Sequence, residues 1–368
     1  MNKVPLLDLK AQYASISGEI DGVINEVIRN GSFILGENVK KLEEEIASFC
    51  QTKYAVGVAS GTDALLLSLM ACEVKAGDEV ITSPFTFIAT AEVIVLLGAK
   101  PVFVDIDPKT YNIDPSKIKT AITPKTKAII PVHLYGQPAD MDEILPVARE
   151  YNLAVVEDAA QAIGAKYKGK MVGQMGTTGG FSFFPAKNLG AYGDGGIITT
   201  NDEDIAKKLK MLRTHGSQVK YYHEIIGTNS RLDELQAGIL RVKLKKLNEW
   251  TRRRQEIAKT YNEAFRNKEI ITPFVEAFNE PVYNQYTIRV KNRDGLIKHL
   301  KETGVDTAIH YPTPLHLQPA FSYLEHKVGD FKESEQAAKE VLSLPIYPEL
   351  TSQQIETVIC ALCNYLLK

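Results

Sequence analysis

Between residues 54 and 159 the chain alternates short β-rich runs with helical ones, and no other feature restricts its fold as tightly. YAVGVA (54–59) leads into the apolar helix of SGTDALLLSLMA, DEVITS (78–83) into TAEVIVLLG (90–98), and KPVFVDI (100–106) into a helix near 115–122. KAIIPVHL (127–134) then precedes a helix over 140–151, and LAVVEDA (153–159) ends the series. Strands that are apolar almost throughout are covered on both faces, and the helices between them supply the crossovers that parallel strands need. The expectation is an α/β fold: a large domain, residues 1–248, with a mostly parallel sheet covered by helices, and a smaller C-terminal α+β domain, residues 249–368. A length of 368 residues suits two such units.

Helical spacing also marks 15–30 and 37–50, where Val39, Leu42, Ile46 and Phe49 share a face. Past Gly196, IITT reads as a strand, DEDIAKKLKMLRTHG as a helix, and 231–265 as a long helical stretch. Its run Arg252-Arg253-Arg254, with glutamates interspersed, reads as a solvated helix face rather than a nucleic-acid patch. VYNQYTIRV (282–290) and DTAIHYP are expected strands, RDGLIKHLKETG a helix ending at Gly304, and a last helix starts at Ser352.

The formal net charge of −2 leaves no footprint for nucleic acid or an anionic membrane. Cys360 and Cys363 form a CxxC in an apolar helical stretch, but no second ligand pair exists, so no metal is expected and the thiols read as buried on one helix face. Four cysteines are no disulfide framework, no apolar run approaches a membrane span, and no signal peptide is recognisable. A soluble cytoplasmic protein is expected.

Ligands of parallel sheets bind beyond the carboxyl ends of the strands. Three features stand there. Ser60-Gly61-Thr62 opens a helix, whose unpaired N–H groups suit a phosphate, although a capped helix looks the same in sequence. No GxxxxGK[ST] accompanies it, and no GxGxxG follows the first strand, so neither a nucleotide P-loop nor a nicotinamide site is supported. Glu157-Asp158 ends a strand, where a carboxylate could bind metal, act as a base or hold a protonated ring nitrogen, and Gln161 could reach the same place. Lys187, in GGFSFFPAKNLGAYGDGG (179–196), follows an apolar run and precedes a glycine-rich turn, with Ser182 five residues before it. Together with an aromatic from Phe85 or Phe87, these are the parts that pyridoxal 5′-phosphate requires: a phosphate cradle, a ring to stack on, a carboxylate for the pyridine nitrogen and a lysine for the aldehyde.

FILGENV (33–39), SGTDAL, SPFTFIAT, KPVFVDID, HLYGQPADM, VEDAAQA, FSFFPAKNLGAYGDGG, GTNSRLDELQA, IHYPTPLHLQ and LSLPIYPELT occur in that order over nearly the whole chain. In these motifs the sequence resembles the DegT/DnrJ/EryC1 sugar aminotransferases, pyridoxal-phosphate enzymes of the aspartate-aminotransferase-like fold type I. The resemblance implies that Lys187 is the Schiff-base lysine, that Asp158 pairs with the pyridine nitrogen and that Gln161 contacts the ring hydroxyl. It implies that Gly61, Thr62 and Ser182 hold the phosphate, that Phe87 stacks on the ring, and that Asn229 reaches the phosphate from the other subunit of a homodimer. Arg231, His310 and Tyr311 are similar to residues lining the sugar pocket. The turn after the lysine usually carries glutamate in this family, where this chain has Asp194.

The implied reaction has two halves, with pyridoxamine 5′-phosphate as the intermediate form of the cofactor. L-Glutamate gives up its amino group, and a nucleotide-linked keto-sugar takes it. The motifs look most like members that aminate C-3, of UDP-linked 3-keto-2-acetamido-glucuronic acid or a dTDP-linked 3-keto-6-deoxyhexose, for cell-surface glycans such as O-antigen or for other amino sugars. C-4 amination is the alternative, and a non-catalytic regulator of the same fold a more distant one. The related dehydratases have histidine at the lysine position, so Lys187 weighs against that branch. The glycines after Lys187 are expected to leave room for cofactor and sugar.

Overall fold

The computed structural model describes residues 3–367 and begins with two helices, α1 (Leu9–Asn30) and α2 (Glu37–Phe49). The Asp8 carboxylate accepts the Lys10 and Ala11 N–H groups to start α1, and Gly31, at a φ of 65°, ends it where a Cβ is disfavoured. The alternation follows: β1 (Tyr54–Val58), α3 (Gly61–Ala71), β2 (Glu79–Thr82), α4 (Ala89–Leu96), β3 (Lys100–Phe103), α5 (Pro115–Ala121), β4 (Thr126–Ile130), α6 (Met141–Glu150) and β5 (Ala154–Asp158). A small hairpin, β6 (Lys166–Tyr167) and β7 (Lys170–Met171), precedes β8 (Thr178–Ser182) and β9 (Gly196–Thr200).

One seven-stranded sheet runs β1-β9-β8-β5-β4-β2-β3. β2, β3, β4, β5 and β8 pair in parallel, whereas β9 is antiparallel to both its neighbours. Its alternating side chains fill two cores. Val80, Ala128, Ile130 and Val156 meet Leu65, Leu69 and Val93 on one face, while Ile81, Ile129 and Val155 meet Ile118, Met141 and Ile144 on the other. Because β9 runs backwards, its first residues share the sheet edge with the carboxyl ends of the other strands.

The chain continues through α7 (Glu203–Leu212), the hairpin β10 (Ser217–Val219) and β11 (Tyr222–His223), α8 (Glu234–Leu244) and α9 (Leu247–Ala264). After β12 (Asn279–Glu280) come β13 (Tyr286–Arg289), α10 (Arg293–Glu302), α11 (Lys332–Glu340), β14 (Val341–Leu344) and α12 (Ser352–Leu366). A second core gathers Ile257, Tyr261, Tyr286, Ile288, Leu296, Leu342, Val358 and Leu362. Val4 packs there too, so the segment before α1 joins the C-terminal unit by its contacts.

Several expectations are corrected. The helical stretch 231–265 is two helices that meet at Lys245-Lys246. Arg254 is not on a solvated face: it is buried and donates to the Ile346 and Tyr283 carbonyls. DTAIHYP is not a strand; Ala308 makes an isolated bridge to Ser343, and β13 pairs instead with β14, which the apolar pattern did not single out. Cys360 is exposed and Cys363 only partly buried. No helix among the described residues is long and apolar enough to cross a membrane, and no cluster of His, Cys, Asp and Glu among them could hold a metal ion.

Candidate active site

The carboxyl ends of β1, β2, β4, β5 and β8 open on one cavity of about 460 Å³. Gly61 and Thr62, Phe87, Asp158, Gln161, Ser182, Lys187, His310 and Tyr311 line it, whereas Asn229, Arg231 and the alternatives Phe85 and Glu157 do not.

Its floor is the start of α3. Ser60 caps the helix, its Oγ accepting the Asp63 N–H at 3.0 Å, and the first amides, Gly61 and Thr62, have no partner within the helix. Gly61 is required by a close approach, since a Cβ there would lie 2.6 Å from the Ser182 Cβ. Ser182 thereby stands against the helix N-terminus. Its Oγ accepts the Phe184 N–H at 3.3 Å, which leaves the hydroxyl proton to donate. Two free amides, a helix dipole and a hydroxyl form a cradle that suits a phosphate.

β5 separates its two terminal carboxylates by strand alternation. Glu157 points away from the cavity. It accepts N–H groups from Gly173, Met175 and Gly176 at 2.6–2.8 Å, and His133 Nε2 lies 3.0 Å away. His133 Nδ1 accepts the Ala139 N–H, so Nε2 carries the proton and donates to Glu157. That carboxylate is fully engaged in structure. Asp158 faces the cavity, accepting from Thr90 Oγ1 at 2.7 Å and from the Ala160 N–H at 3.2 Å. Burial raises its pKa, against the pull of Thr90, Ala160 and the Lys187 charge. A buried carboxylate of this kind is completed by a cation, and a protonated pyridine nitrogen is one.

Lys187 lies in the loop between β8 and β9, its own N–H donating to the Phe184 carbonyl. Burial brings its amine down from 10.5 to about 8, with Asp158 opposing. Phe87, 55% exposed, offers a bare aromatic face at the cavity, 6.2 Å from the Tyr311 ring. Gln161 Oε1 accepts the Tyr135 N–H at 2.8 Å and Nε2 donates to the Tyr311 hydroxyl at 2.9 Å, leaving one Nε2 hydrogen for a ring hydroxyl. Burial and the Lys187 charge bring His310 down to about 4, so it is neutral near pH 7, with Nδ1 against Ser343 Oγ at 2.9 Å. The set fits a phosphorylated, cationic aromatic aldehyde.

Residues outside the expected set also line the cavity. Thr90 orients Asp158, and Asn284 and Gln285 enter from the segment before β13. Asn284 was hidden because it lies nearly a hundred residues from Asn188, to which its Nδ2 donates at 2.9 Å. The glycines after Lys187 are corrected in part. Gly190 abuts the Pro185 carbonyl and Gly196 the Ser60 carbonyl, where they serve close chain packing, whereas Gly195 lines the cavity.

Asn229 is exposed and outside the cavity, and Arg231 is half-buried with no ion pair among the described residues. Among the described residues, the only charged side chains lining the cavity are Asp158, Lys187 and Asp194.

Residues 14–363 match the DegT/DnrJ/EryC1/StrS aminotransferase family. The chain is similar to a pleiotropic regulatory protein of Geobacillus stearothermophilus, 53% identical over 359 residues that cover 97% of this chain and 96% of that one. It is 49% identical over 363 residues to the UDP-2-acetamido-2-deoxy-3-oxo-D-glucuronate aminotransferase of Pseudomonas aeruginosa, covering 98% and 100%. Among solved structures, DesV of S. venezuelae in complex with a ketimine intermediate superimposes with a TM-score of 0.98 at 43% identity, over 100% of both chains.

Proposed function

The chain belongs to the DegT/DnrJ/EryC1/StrS aminotransferase family, pyridoxal-phosphate-dependent enzymes acting on nucleotide sugars, and from that premise we propose that it carries an amino group from L-glutamate to C-3 of a nucleotide-linked 3-keto-sugar. The observation that carries this reading is the meeting of Lys187, Asp158 and the Gly61–Thr62–Ser182 cradle on one cavity. The choice of C-3 rests on full-length similarity to an enzyme whose name specifies a 3-oxo sugar.

In this reading Gly61, Thr62 and Ser182 hold the cofactor phosphate, Asp158 faces the ring nitrogen, Phe87 covers one ring face and Gln161 reaches the ring hydroxyl. The cofactor, when bound, supplies an electron sink for the carbon that gains or loses the amine. Lys187 Nζ holds it when no amine is present, and takes and returns the proton on the amino-bearing carbon. A pKa near 8 suits that exchange around neutral pH. Thr90 fixes the Asp158 carboxylate, and neutral His310 with Tyr311 borders the space left for the sugar.

No arginine lines the cavity of one chain, yet the substrates carry phosphates and carboxylates. Asn229 and Arg231 therefore act, in this reading, on the site of a second copy in a homodimer. A purely regulatory role has no support in the site, where the lysine and its carboxylate are both in place. The test is a visible absorbance band in purified protein that shifts on adding L-glutamate, followed by a panel of UDP- and dTDP-linked 3-keto and 4-keto sugars. Turnover of 4-keto sugars alone would overturn C-3; no band and no turnover would overturn the enzyme.

A further inference from the structure

A second lysine is tied to the loop that carries Lys187. Lys243, on α8, has no exposed surface, and its Nζ donates to the Gly190 carbonyl at 2.7 Å. That carbonyl is three residues past Lys187. The same Nζ lies 4.1 Å from the centroid of the Tyr192 ring. Seven positions earlier on α8, Gln236 Oε1 accepts the Tyr192 N–H at 2.8 Å, and Nε2 reaches the Tyr192 carbonyl at 3.4 Å.

Between these polar ends, Ala237 and Leu240 share a core with Leu189 and Ala191. Positions 236, 240 and 243 stack on one face of a helix. One face of α8 thus meets consecutive residues of the Lys187 loop, polar at both ends and apolar in the middle. The segment before β13 holds the same loop from elsewhere: Asn188 Nδ2 donates to the Val282 carbonyl at 2.9 Å.

Burying a lysine to hold one carbonyl is expensive, and an apolar side chain would fill the space at less cost in desolvation. The charge is answered from the C-terminal unit. Burial takes Lys243 down to about 8, and Glu349 pulls it back up. Both Glu349 oxygens are buried with no hydrogen-bond partner among the described residues, and the charges of Arg254 and Lys243 oppose the rise that burial imposes on its carboxyl.

We propose that the face of α8 carrying Gln236 and Lys243 is a clamp that positions the loop presenting Lys187, with Lys243 as its anchoring residue. Its link to catalysis rests on Lys187 being the cofactor lysine, but hydrogen exchange in the full-length protein, with and without cofactor, reads the clamp by itself. In folded K243M and Q236L, amides of residues 188–192 should exchange on the order of tenfold faster while those of β4 and β5 stay unchanged. In the loaded enzyme kcat should fall on the order of tenfold with the sugar KM little changed, because a misplaced reacting group loses rate rather than binding. K243R, which keeps a donor at the carbonyl, should recover part of both. Wild-type exchange across 188–192 in folded K243M overturns the clamp. If K243M does not fold, Q236L decides, and unchanged exchange at 190–192 overturns it equally. Faster exchange in the loop without visible absorbance in the wild-type protein would leave the clamp standing and sink the cofactor reading instead.

Discussion

On the cavity wall the side chains already have partners: Thr90 on Asp158, Tyr135 and Tyr311 on Gln161, Ser343 on His310. On the segment 217–231 the reverse holds. The β10–β11 hairpin and the irregular stretch after it turn Tyr221 (83% exposed) and Ile226 (89% exposed) to solvent, and the Asn229 side chain makes no hydrogen bond among the described residues. One region is preorganised by its own chain. The other carries an apolar patch and unpaired polar groups of the kind that a partner covers. The contrast is the reason for proposing that the cavity is completed by a second copy of the chain.

The hardest test of the wall is K187A. Its turnover should drop by at least roughly 10³-fold, with the thermal midpoint unchanged, since the variant loses both the attachment point and the acid–base group. A turnover within tenfold of wild type would end the assignment. D158N comes next, with a loss on the order of 10²-fold and weaker cofactor retention, because removing one partner of a buried charge pair leaves the other uncompensated by about 3 kcal/mol. The exposed segment is tested by mixing. K187A and N229A, each nearly inactive alone, should regain activity together if one copy completes the other's site; no recovery, with both dimeric, would sink the shared site.

S182A should weaken cofactor binding by about 2 kcal/mol, the value of one hydrogen bond to a charged group, with kcat less affected. The smallest effect is in pH. A lysine lowered to about 8 is protonated and unreactive below that pH and a free amine above it, so the rate of cofactor attachment to the apoprotein should rise to a plateau just above pH 8. A rise continuing past pH 10, as for an exposed lysine, would mean that the cavity does not desolvate Lys187.

Much of the wall was legible in sequence, because strand ends carry their own signal. SGT before an apolar helix, a carboxylate closing VVED and a lysine before a glycine turn are local patterns. Which of the two carboxylates faces the cavity came only from the family resemblance, and the strand end at Asp158 supplies the physical reason. What stayed hidden is held by long-range contacts. Nothing near Arg254 in sequence announces the carbonyls that bury it, nor does RVKL reveal that Lys243 caps a loop more than fifty residues away.

The sequence by itself determined the alternating α/β plan, the helix start at Ser60 and the strand-end side chains that line the cavity, since each depends on neighbours within about a turn of helix or a strand. Only the tertiary structure decided that β9 runs backwards, that Val4 packs with the C-terminal core, that Gly190 and Gly196 serve close packing and that a second lysine grips the Lys187 loop. Those outcomes depend on which distant surfaces exclude water together, and burial of that kind carries no mark in local sequence.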